Sequence, residues 1–184
     1  MKLLLVSLFL FIPAFNIFPQ EQNMSAHNTP LTTVSHVDLT QYAGLWYETA
    51  RIPNRFQKKC AYGVTALYEL RDDGRIDVTN GCRNADGSLR ESSGVARVVD
   101  TTSNARLQVS FVSIFGFNLF WGDYWIIGLA GDYSYAIVGT PSRKYGWILS
   151  RTTTLPEDTM EEINDILRRQ GYDPSTFQPT RHKQ

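Results

Sequence analysis

The stretch Gly44-Leu45-Trp46-Tyr47-Glu48 is the fold-determining segment of the chain, because it opens the first predicted strand with a tryptophan. An indole is large and rigid and carries one N–H group, so it needs a packed site with one acceptor. We expect Trp46 to pack at the closed end of a β-barrel, with the guanidinium of Arg151 over its ring. The segments between these two residues would then form the wall.

Eight short segments with alternating or strongly apolar side chains follow one another, separated by turn and loop residues. Alternation places every second side chain on one face, which is typical of a strand buried on one side. The predicted strands are residues 44–51, 61–70, 75–82, 89–99, 105–112, 124–129, 135–140 and 145–151. Their hairpin-like connections favour a closed barrel over a sandwich. The predicted fold class is therefore all-β, an eight-stranded antiparallel up-and-down barrel.

The connections alternate between the two ends of such a barrel and differ in length. Three tight turns share one end, and four mostly longer loops share the other. The turns are residues 72–74, 101–104 and 131–132, and the loops are residues 52–60, 83–88, 113–122 and 141–144. This pattern predicts a cup that is closed by the turns and open at the loops. Trp46 begins an upward strand and Arg151 ends a downward strand, so both are expected at the closed end.

One amphipathic helix is predicted after the eighth strand. Thr154 and Glu157 have the spacing of a capping box, and Gly171 is a C-terminal stop. The apolar side chains that share one stripe of this helix are Met160, Ile163, Ile166 and Leu167. A lone amphipathic helix must bury its stripe, and the outer face of the barrel is the only candidate surface.

The chain begins with Met1-Lys2 and a short apolar run, which is the pattern of a secretory signal. We predict a signal peptide over residues 1–26, with its cleavage point left open, and one barrel domain over residues 36–178. An uncleaved N-terminal anchor is the alternative for the first segment. No cysteine lies near the end of the apolar run, so a lipid-anchored cysteine is not expected. A signal of this kind predicts an exported protein.

The charge balance and the residue types argue against several functions. Eighteen basic and eighteen acidic residues give a formal net charge of zero, which argues against nucleic acid as a partner. The three histidines, His27, His36 and His182, lie near the chain ends, so neither a histidine-dependent nucleophile nor a metal site is predicted. The sequence also lacks a phosphate-cradling glycine motif, and no cofactor is predicted. Glu48 shares the inward parity of Trp46, and we interpret it as a structural carboxylate with satisfied hydrogen bonds.

Two cysteines, Cys60 and Cys82, occur in a chain that is expected to be exported, where disulfides form. In the predicted barrel Cys60 precedes a downward strand and Cys82 ends an upward one. Both therefore fall near the open end of adjacent strands, where a cross-strand disulfide is stereochemically reasonable. Two reduced, buried thiols are the alternative.

Three groups of residues resemble the signature blocks of the lipocalin family: Gly44-Leu45-Trp46, Gly131-Asp132-Tyr133 and Arg151. The middle block has glycine where the family often has threonine. The segments that resemble the bacterial lipocalin and apolipoprotein D branch in particular are residues 46–51, 124–127, 147–151 and 155–157. The resemblance spans residues 36–178. It implies a protein of the periplasm or the outer membrane, or alternatively a secreted one, that binds fatty acids, lysophospholipids or similar apolar molecules.

Side chains on the inward strand faces supply the predicted ligand site. They are Ala66, Tyr68, Val78, Asn80, Val109, Phe111 and Trp147. A mostly apolar pocket with a few polar groups suits one acyl chain whose polar head lies near the opening. The leading hypothesis is binding, storage or transport of a small hydrophobic ligand without enzyme activity. One alternative is an isomerase or oxidised-lipid scavenger that uses a Cys60 thiolate, and another is a barrel filled by its own side chains.

The loop between Ile114 and Trp121 at the open end contains six large apolar residues. Such a sequence is not ordinary for a solvent-facing loop. We expect this segment to contact a membrane surface, to pack against a second copy of the chain, or to fold inward as a lid. The protein is accordingly predicted to be a monomer or a homodimer.

Overall fold

The computed structural model describes residues 30–115 and 117–183, and the signal peptide predicted for residues 1–26 lies outside them. The strands are β1 (Gly44–Arg51), β2 (Tyr62–Leu70), β3 (Ile76–Arg83), β4 (Leu89–Val98), β5 (Arg106–Ser110), β6 (Val112–Ile114), β7 (Phe117–Leu119), β8 (Gly122–Leu129), β9 (Tyr135–Gly139), β10 (Gly146–Ser150) and β11 (Gln178–Pro179). The helices are α1 (Leu39–Tyr42) and α2 (Glu157–Arg169), with a 3-10 turn at Pro174–Thr176. Neither described α-helix is long and apolar enough to cross a membrane.

Eight of the strands form a closed antiparallel barrel in the order β1-β2-β3-β4-β5-β8-β9-β10, and β10 pairs with β1 to complete the circle. At this closure Tyr47 lies opposite Ser150, and Arg51 lies opposite Trp147. The predicted fold class is thus confirmed. We call the end that carries the β1–β2, β3–β4, β5–β8 and β9–β10 connections the open end, and the other the closed end.

The apolar loop predicted at the open end is instead a small hairpin, so that part of the prediction is wrong. Its strands β6 and β7 pair Val112 with Leu119 and Ile114 with Phe117, apart from the barrel sheet. The Ser110 hydroxyl donates to the Leu119 carbonyl at 2.5 Å and so closes the base of the hairpin. The apolar residues of both strands share one face, and Ser113 and Asn118 pair on the other. Each strand is only three residues long, so its alternation is too short to predict a strand.

The polar C-terminal tail forms part of the barrel wall, which the sequence did not predict. β1 pairs with β2 only over its first half, and β11 pairs with its second half. The Thr180 N–H donates to the Thr49 carbonyl at 2.9 Å, and the Gly63 N–H donates to the Arg181 carbonyl at 2.7 Å. The tail therefore bridges β1 and β2 near the open end, and it brings His182 against the wall.

Helix α2 packs its apolar stripe on the outside of the barrel, as predicted. Ile163 and Leu167 are completely buried and share one apolar cluster with the outward-facing Ile127, Ile137 and Ile148. β8 is apolar on both faces because alternate residues belong to the interior core and to this outer cluster. The helix thus buries apolar surface that the barrel alone would leave in water.

The start of α2 differs from the prediction, whereas its end agrees. The helix begins at Glu157 with Pro156 in the N-cap position and no side-chain cap, so the capping box predicted from Thr154 is wrong. Leu155 precedes this proline, and a residue before proline is disfavoured in helical conformation, which opposes the earlier start that a Thr154 cap requires. At the other end Gly171 has φ +75°, and its N–H donates to the Arg168 carbonyl at 3.0 Å. This is the predicted glycine stop.

Candidate functional site

The closed end is built around Trp46, which is completely buried and donates its indole N–H to the Tyr42 carbonyl at 2.7 Å. The guanidinium carbon of Arg151 lies 3.7 Å from the centroid of the Trp46 ring, so the expected contact is present. The same guanidinium donates to four main-chain carbonyls of α1 and the start of β1. They belong to Gln41, Tyr42, Ala43 and Leu45. Arg151 therefore fastens the segment that closes this end.

The other residues of the lipocalin-like signature lie at the same end. Gly44 has φ +94°, a conformation that only glycine adopts without steric cost. The Tyr133 hydroxyl accepts the Asp38 N–H at 2.8 Å, which connects the β8–β9 turn to the start of α1. Asp132 accepts hydrogen bonds from Ser134, and these lower the pKa of the Asp132 carboxyl. All of these groups make structural contacts at the closed end, away from the opening.

Three tyrosines form a hydrogen-bonded tyrosine cluster inside the barrel above Trp46. The Tyr124 hydroxyl lies 2.7 Å from the Tyr42 hydroxyl and 2.8 Å from the Tyr68 hydroxyl. Burial raises the pKa of Tyr68 to about 12 and raises the pKa values of Tyr42 and Tyr124 well above the ordinary value. Burial acts in this direction because it disfavours the charged phenolate.

Because of the tyrosine cluster, we expect the protein to lose stability in alkali. The folded-state pKa of Tyr68 is about 12 against an ordinary 10.0, so the fold favours the neutral hydroxyl. The contribution of this pKa shift to the free energy of unfolding is complete below pH 10.0 and is lost as the pH rises through about 12. Denaturant unfolding at a series of pH values should show this loss, and Tyr68→Phe should reduce it. Tyr62→Phe, outside the cluster, is the control, and an equal effect of both variants would contradict the assignment to the cluster.

The seven predicted ligand residues lie on the interior side of the wall. Five belong to the interior core or pack against it: Ala66, Tyr68, Val78, Val109 and Trp147. Asn80 shares their face because it lies directly opposite Ala66 in the β2–β3 pair. The Phe111 ring occupies the space beside Gly94, where a Cβ atom would come within 2.6 Å of it. The structure therefore brings these residues around one interior space.

The accessibility of the interior rises from the closed end to the open end. Along β5 the inward side chains of Ala105 and Leu107 are 0% and 3% exposed, Val109 is half-buried, and Phe111 just beyond the strand is 40% exposed. The inward positions of the two neighbouring strands also change from buried to half-buried to exposed toward the open end. These positions are Ala96, Gly94 and Ser92 in β4, and Ile126, Tyr124 and Gly122 in β8. The barrel is therefore packed at the closed end and accessible above the tyrosine cluster.

A buried polar network lines the other side of the opening. Glu48 is 2% exposed and forms an ion pair with Arg51. Its carboxylate also accepts the Gln57 amide and the Thr180 hydroxyl, each at 2.5 Å. Gln57 in turn accepts the indole N–H of Trp147 at 3.0 Å. The network joins the β1–β2 loop, the tail and the cavity wall, and the observed contacts agree with a structural role for Glu48.

Sequence reasoning missed three members of this network, namely Arg51, Gln57 and Thr180. The reason is a β-bulge in β1: Glu48 and Ala50 lie opposite neighbouring residues of β10, so the residue between them is extra. The bulge reverses the alternation, which turns Ala50 to the outer cluster and Arg51 toward Glu48. Gln57 and Thr180 lie outside the predicted strands, and no sequence pattern marked them.

The enzyme alternative requires a free thiol at Cys60. Cys60 and Cys82 form the predicted disulfide, with Cα atoms 5.5 Å apart. The pairing leaves the thiolate alternative without the free thiol that it requires. Within residues 30–115 and 117–183, no group of three or more potential ligands is placed to hold a metal ion.

Comparison with known proteins gives matches over most of the chain. The model of the lipocalin-like domain matches residues 37–182. The outer membrane lipoprotein Blc of Escherichia coli (strain K12) is 40% identical over 148 residues, which cover 80% of each chain. Apolipoprotein D of Macaca fascicularis is 34% identical over 149 residues, which cover 74% of this chain and 72% of that protein.

A solved structure agrees with the fold. Insecticyanin from the tobacco hornworm Manduca sexta superposes with a TM-score of 0.67 at 24% identity, covering 85% of this chain and 86% of that one. At this identity the likeness concerns the fold alone. The matching domain model and the two relatives above show the family. The chain belongs to the lipocalin family, in the branch that includes the bacterial lipocalin Blc and apolipoprotein D.

Proposed function

We propose that the protein binds and carries one small hydrophobic molecule, such as a fatty acid or a lysophospholipid, inside the barrel. The observation that carries this proposal is the accessible apolar interior, which begins above the tyrosine cluster and opens at Phe111. A concave, mostly apolar site with few polar groups is the usual form of a small-ligand pocket. Membership of the lipocalin family supports the proposal. Binding is non-covalent, and the protein acts in storage or transport rather than as an enzyme.

The interior favours one orientation of such a ligand. The acyl chain lies along Val78, Val109 and Trp147, with the tyrosine cluster below its end. Ala66 on the wall is small and leaves room for the chain. The polar head lies toward the open end, where Asn80 supplies an amide that can donate and accept hydrogen bonds.

Native mass spectrometry of protein freshly purified from cells tests the proposal. We expect a mass increment that corresponds to one co-purified lipid and that disappears after delipidation. Adding a fatty acid to the delipidated protein should restore one bound molecule. If the purified protein carries no lipid and the delipidated protein takes up none, the interior is not a binding site and the proposal is wrong.

We also propose a location and a mature form. The disulfide supports an exported protein, because such bonds persist in oxidising compartments. The relative from Escherichia coli is named an outer membrane lipoprotein, which favours the periplasm or the outer membrane. We propose that residues 1–26 are removed on export, that the mature protein is the single barrel, and that the carried lipid belongs to the cell envelope.

The β6–β7 hairpin is proposed to contact a membrane surface, with the protein as a monomer. Phe115, Phe117 and Phe120 are 97%, 73% and 82% exposed, which is unusual for aromatic rings in water. A lid would bury these rings over the cavity, and the observed hairpin leaves them outside. Contact with a bilayer would bring the opening close to the source and destination of a lipid ligand.

A further inference from the structure

The two ends of the barrel differ in charge, although the chain as a whole is neutral. The open-end connections, residues 52–61, 84–88, 111–121 and 140–145, carry five basic residues and one acidic residue. They are Arg55, Lys58, Lys59, Arg143 and Lys144 against Asp86. The closed-end turns, residues 71–75, 99–105 and 130–134, carry two basic and four acidic residues. They are Arg71 and Arg75 against Asp72, Asp73, Asp100 and Asp132.

Exposed aromatic rings lie on both sides of the opening. Phe56 in the β1–β2 loop is 61% exposed, and Phe115, Phe117 and Phe120 of the hairpin are more exposed still. The β1–β2 loop and the β5–β8 connection are four strands apart in a circle of eight, so they stand half a turn from each other. Both can touch one flat surface only if the opening faces that surface.

The β1–β2 loop presents its charges on a fixed turn. The Asn54 side chain accepts the N–H groups of Phe56 and Gln57, each at 3.1 Å, and the disulfide holds Cys60 to β3. Between this loop and the β3–β4 loop lies an open groove of about 540 Å³. Its charged lining residues are Lys58, Lys59, Arg90 and Asp86. The three cations outnumber the single Asp86 carboxylate, which accepts two hydrogen bonds from Ser88, so the groove lining has a net positive charge that attracts anions.

We propose that the open end docks on an anionic phospholipid bilayer with the barrel opening toward the membrane. The hairpin rings and Phe56 enter the interfacial region on opposite sides of the opening, as apolar side chains do in interfacial proteins. Lys58, Lys59 and Arg90 contact lipid phosphates, since juxtamembrane basic residues are attracted to anionic headgroups. The inference rests on the proposed lipid-carrier function and specifies the surface from which the ligand is exchanged.

The charge distribution favours a bilayer over a second copy of the chain. Two open ends that met face to face would oppose their basic loops, and like charges across an interface are costly. An anionic bilayer accommodates both features of this surface, because it offers phosphates to the lysines and an apolar layer to the rings.

Vesicle flotation with purified protein tests the proposal. The vesicles are phosphatidylcholine alone and an equal mixture of phosphatidylcholine and phosphatidylglycerol. We expect stronger binding to the mixture, and binding that weakens with salt. Lys58→Glu combined with Lys59→Glu should weaken binding to the mixture by at least about tenfold. Arg75→Glu, a single charge reversal at the closed end, is the control and should bind as the unchanged protein does.

The orientation is tested by two further variants on the anionic vesicles. Phe56→Asp and the double variant Phe117→Asp, Phe120→Asp should each weaken binding, since the rings contact the bilayer on opposite sides of the opening. If only the hairpin variant lost binding, the inferred orientation would be wrong. Equal binding to both vesicle types would overturn the anionic selectivity. The unchanged protein could instead form a dimer that binds no vesicles and that the hairpin variant abolishes. That result would show that the rings pack against a second copy of the chain.

Lipid uptake by the same proteins separates this inference from the proposed function. The Lys58→Glu, Lys59→Glu variant should still take up one fatty acid in native mass spectrometry, because these side chains lie outside the barrel interior. A protein that carries lipid without binding vesicles would contradict the docking inference alone. A protein that binds vesicles without carrying lipid would contradict the carrier function alone.

Discussion

Arg151→Ala is expected to lower the free energy of unfolding by about 2–4 kcal/mol, with little change in affinity for a fatty acid. The guanidinium lies 3.7 Å from the centroid of the Trp46 ring, and its removal ends that contact. It also leaves four main-chain carbonyls of α1 and the start of β1 without their charged donor. Partial hydration of those carbonyls keeps the loss below the sum of the separate bonds. Urea unfolding and a fatty-acid titration give the two quantities.

Two further substitutions show whether geometry or charge matters at this position. Arg151→Lys keeps the charge but not the planar fork that reaches several carbonyls, so it should recover less than half of the lost stability. Arg168→Ala removes an exposed guanidinium that pairs with Asp165 on α2, and it should cost less than about 1 kcal/mol. Loss of affinity in Arg151→Ala with unchanged stability would contradict the structural assignment of the closed end.

The closed end could be predicted from the sequence because its determinants are few and regular. The position of Trp46 early in one strand and of Arg151 at the end of another places both at the same end of an up-and-down barrel. The same alternation of strand direction brought Cys60 and Cys82 together, and the structure shows their bond. Each of these inferences needs only strand order and direction, which the short turns determine.

The open end was less predictable because irregular features shape it. The extra residue in β1 reverses the alternation, so Arg51 faces the interior against expectation. β11 is two residues long, and Pro179 within it gave no strand signal, yet it completes the wall. The hairpin strands alternate over only three residues each, which is too short a pattern to predict a strand. Irregular backbone of this kind arises from tertiary pairing and not from local residue preference.

The contrast between the two ends has a functional consequence. The closed end holds buried aromatic rings and charge-assisted hydrogen bonds, which stabilise the barrel without a ligand. The open end carries the half-buried interior positions, the basic β1–β2 loop and the exposed β6–β7 hairpin. A carrier needs this division, because the ligand must enter and leave without unfolding of the wall. Substitutions at the closed end should therefore change stability, and those in the upper interior should change affinity.

Trp147→Ala is expected to weaken fatty-acid binding by about tenfold or more. A buried tryptophan contributes roughly 150–250 Å² of surface. Contact of about a third of that area with a ligand is worth about 1.5 kcal/mol at 25 cal/mol per Å², which is about tenfold in affinity. The network beside it should persist, because Gln57 still accepts the Asn54 amide at 2.8 Å. Fluorescent fatty-acid displacement with delipidated protein measures the change.

Trp125→Ala is the matched control, since Trp125 packs against the outer cluster under the Arg106 guanidinium. Both alanine variants remove an indole from a barrel strand and should lower stability, but only Trp147→Ala should lower affinity. Trp147→Phe keeps an aromatic ring in the cavity and loses the bond to Gln57, so its affinity should stay within about threefold of the unchanged protein. If Trp147→Phe lost as much affinity as Trp147→Ala, the hydrogen bond that positions Gln57 would control binding, not ring contact. Equal affinity loss in Trp125→Ala would place the ligand outside the barrel interior.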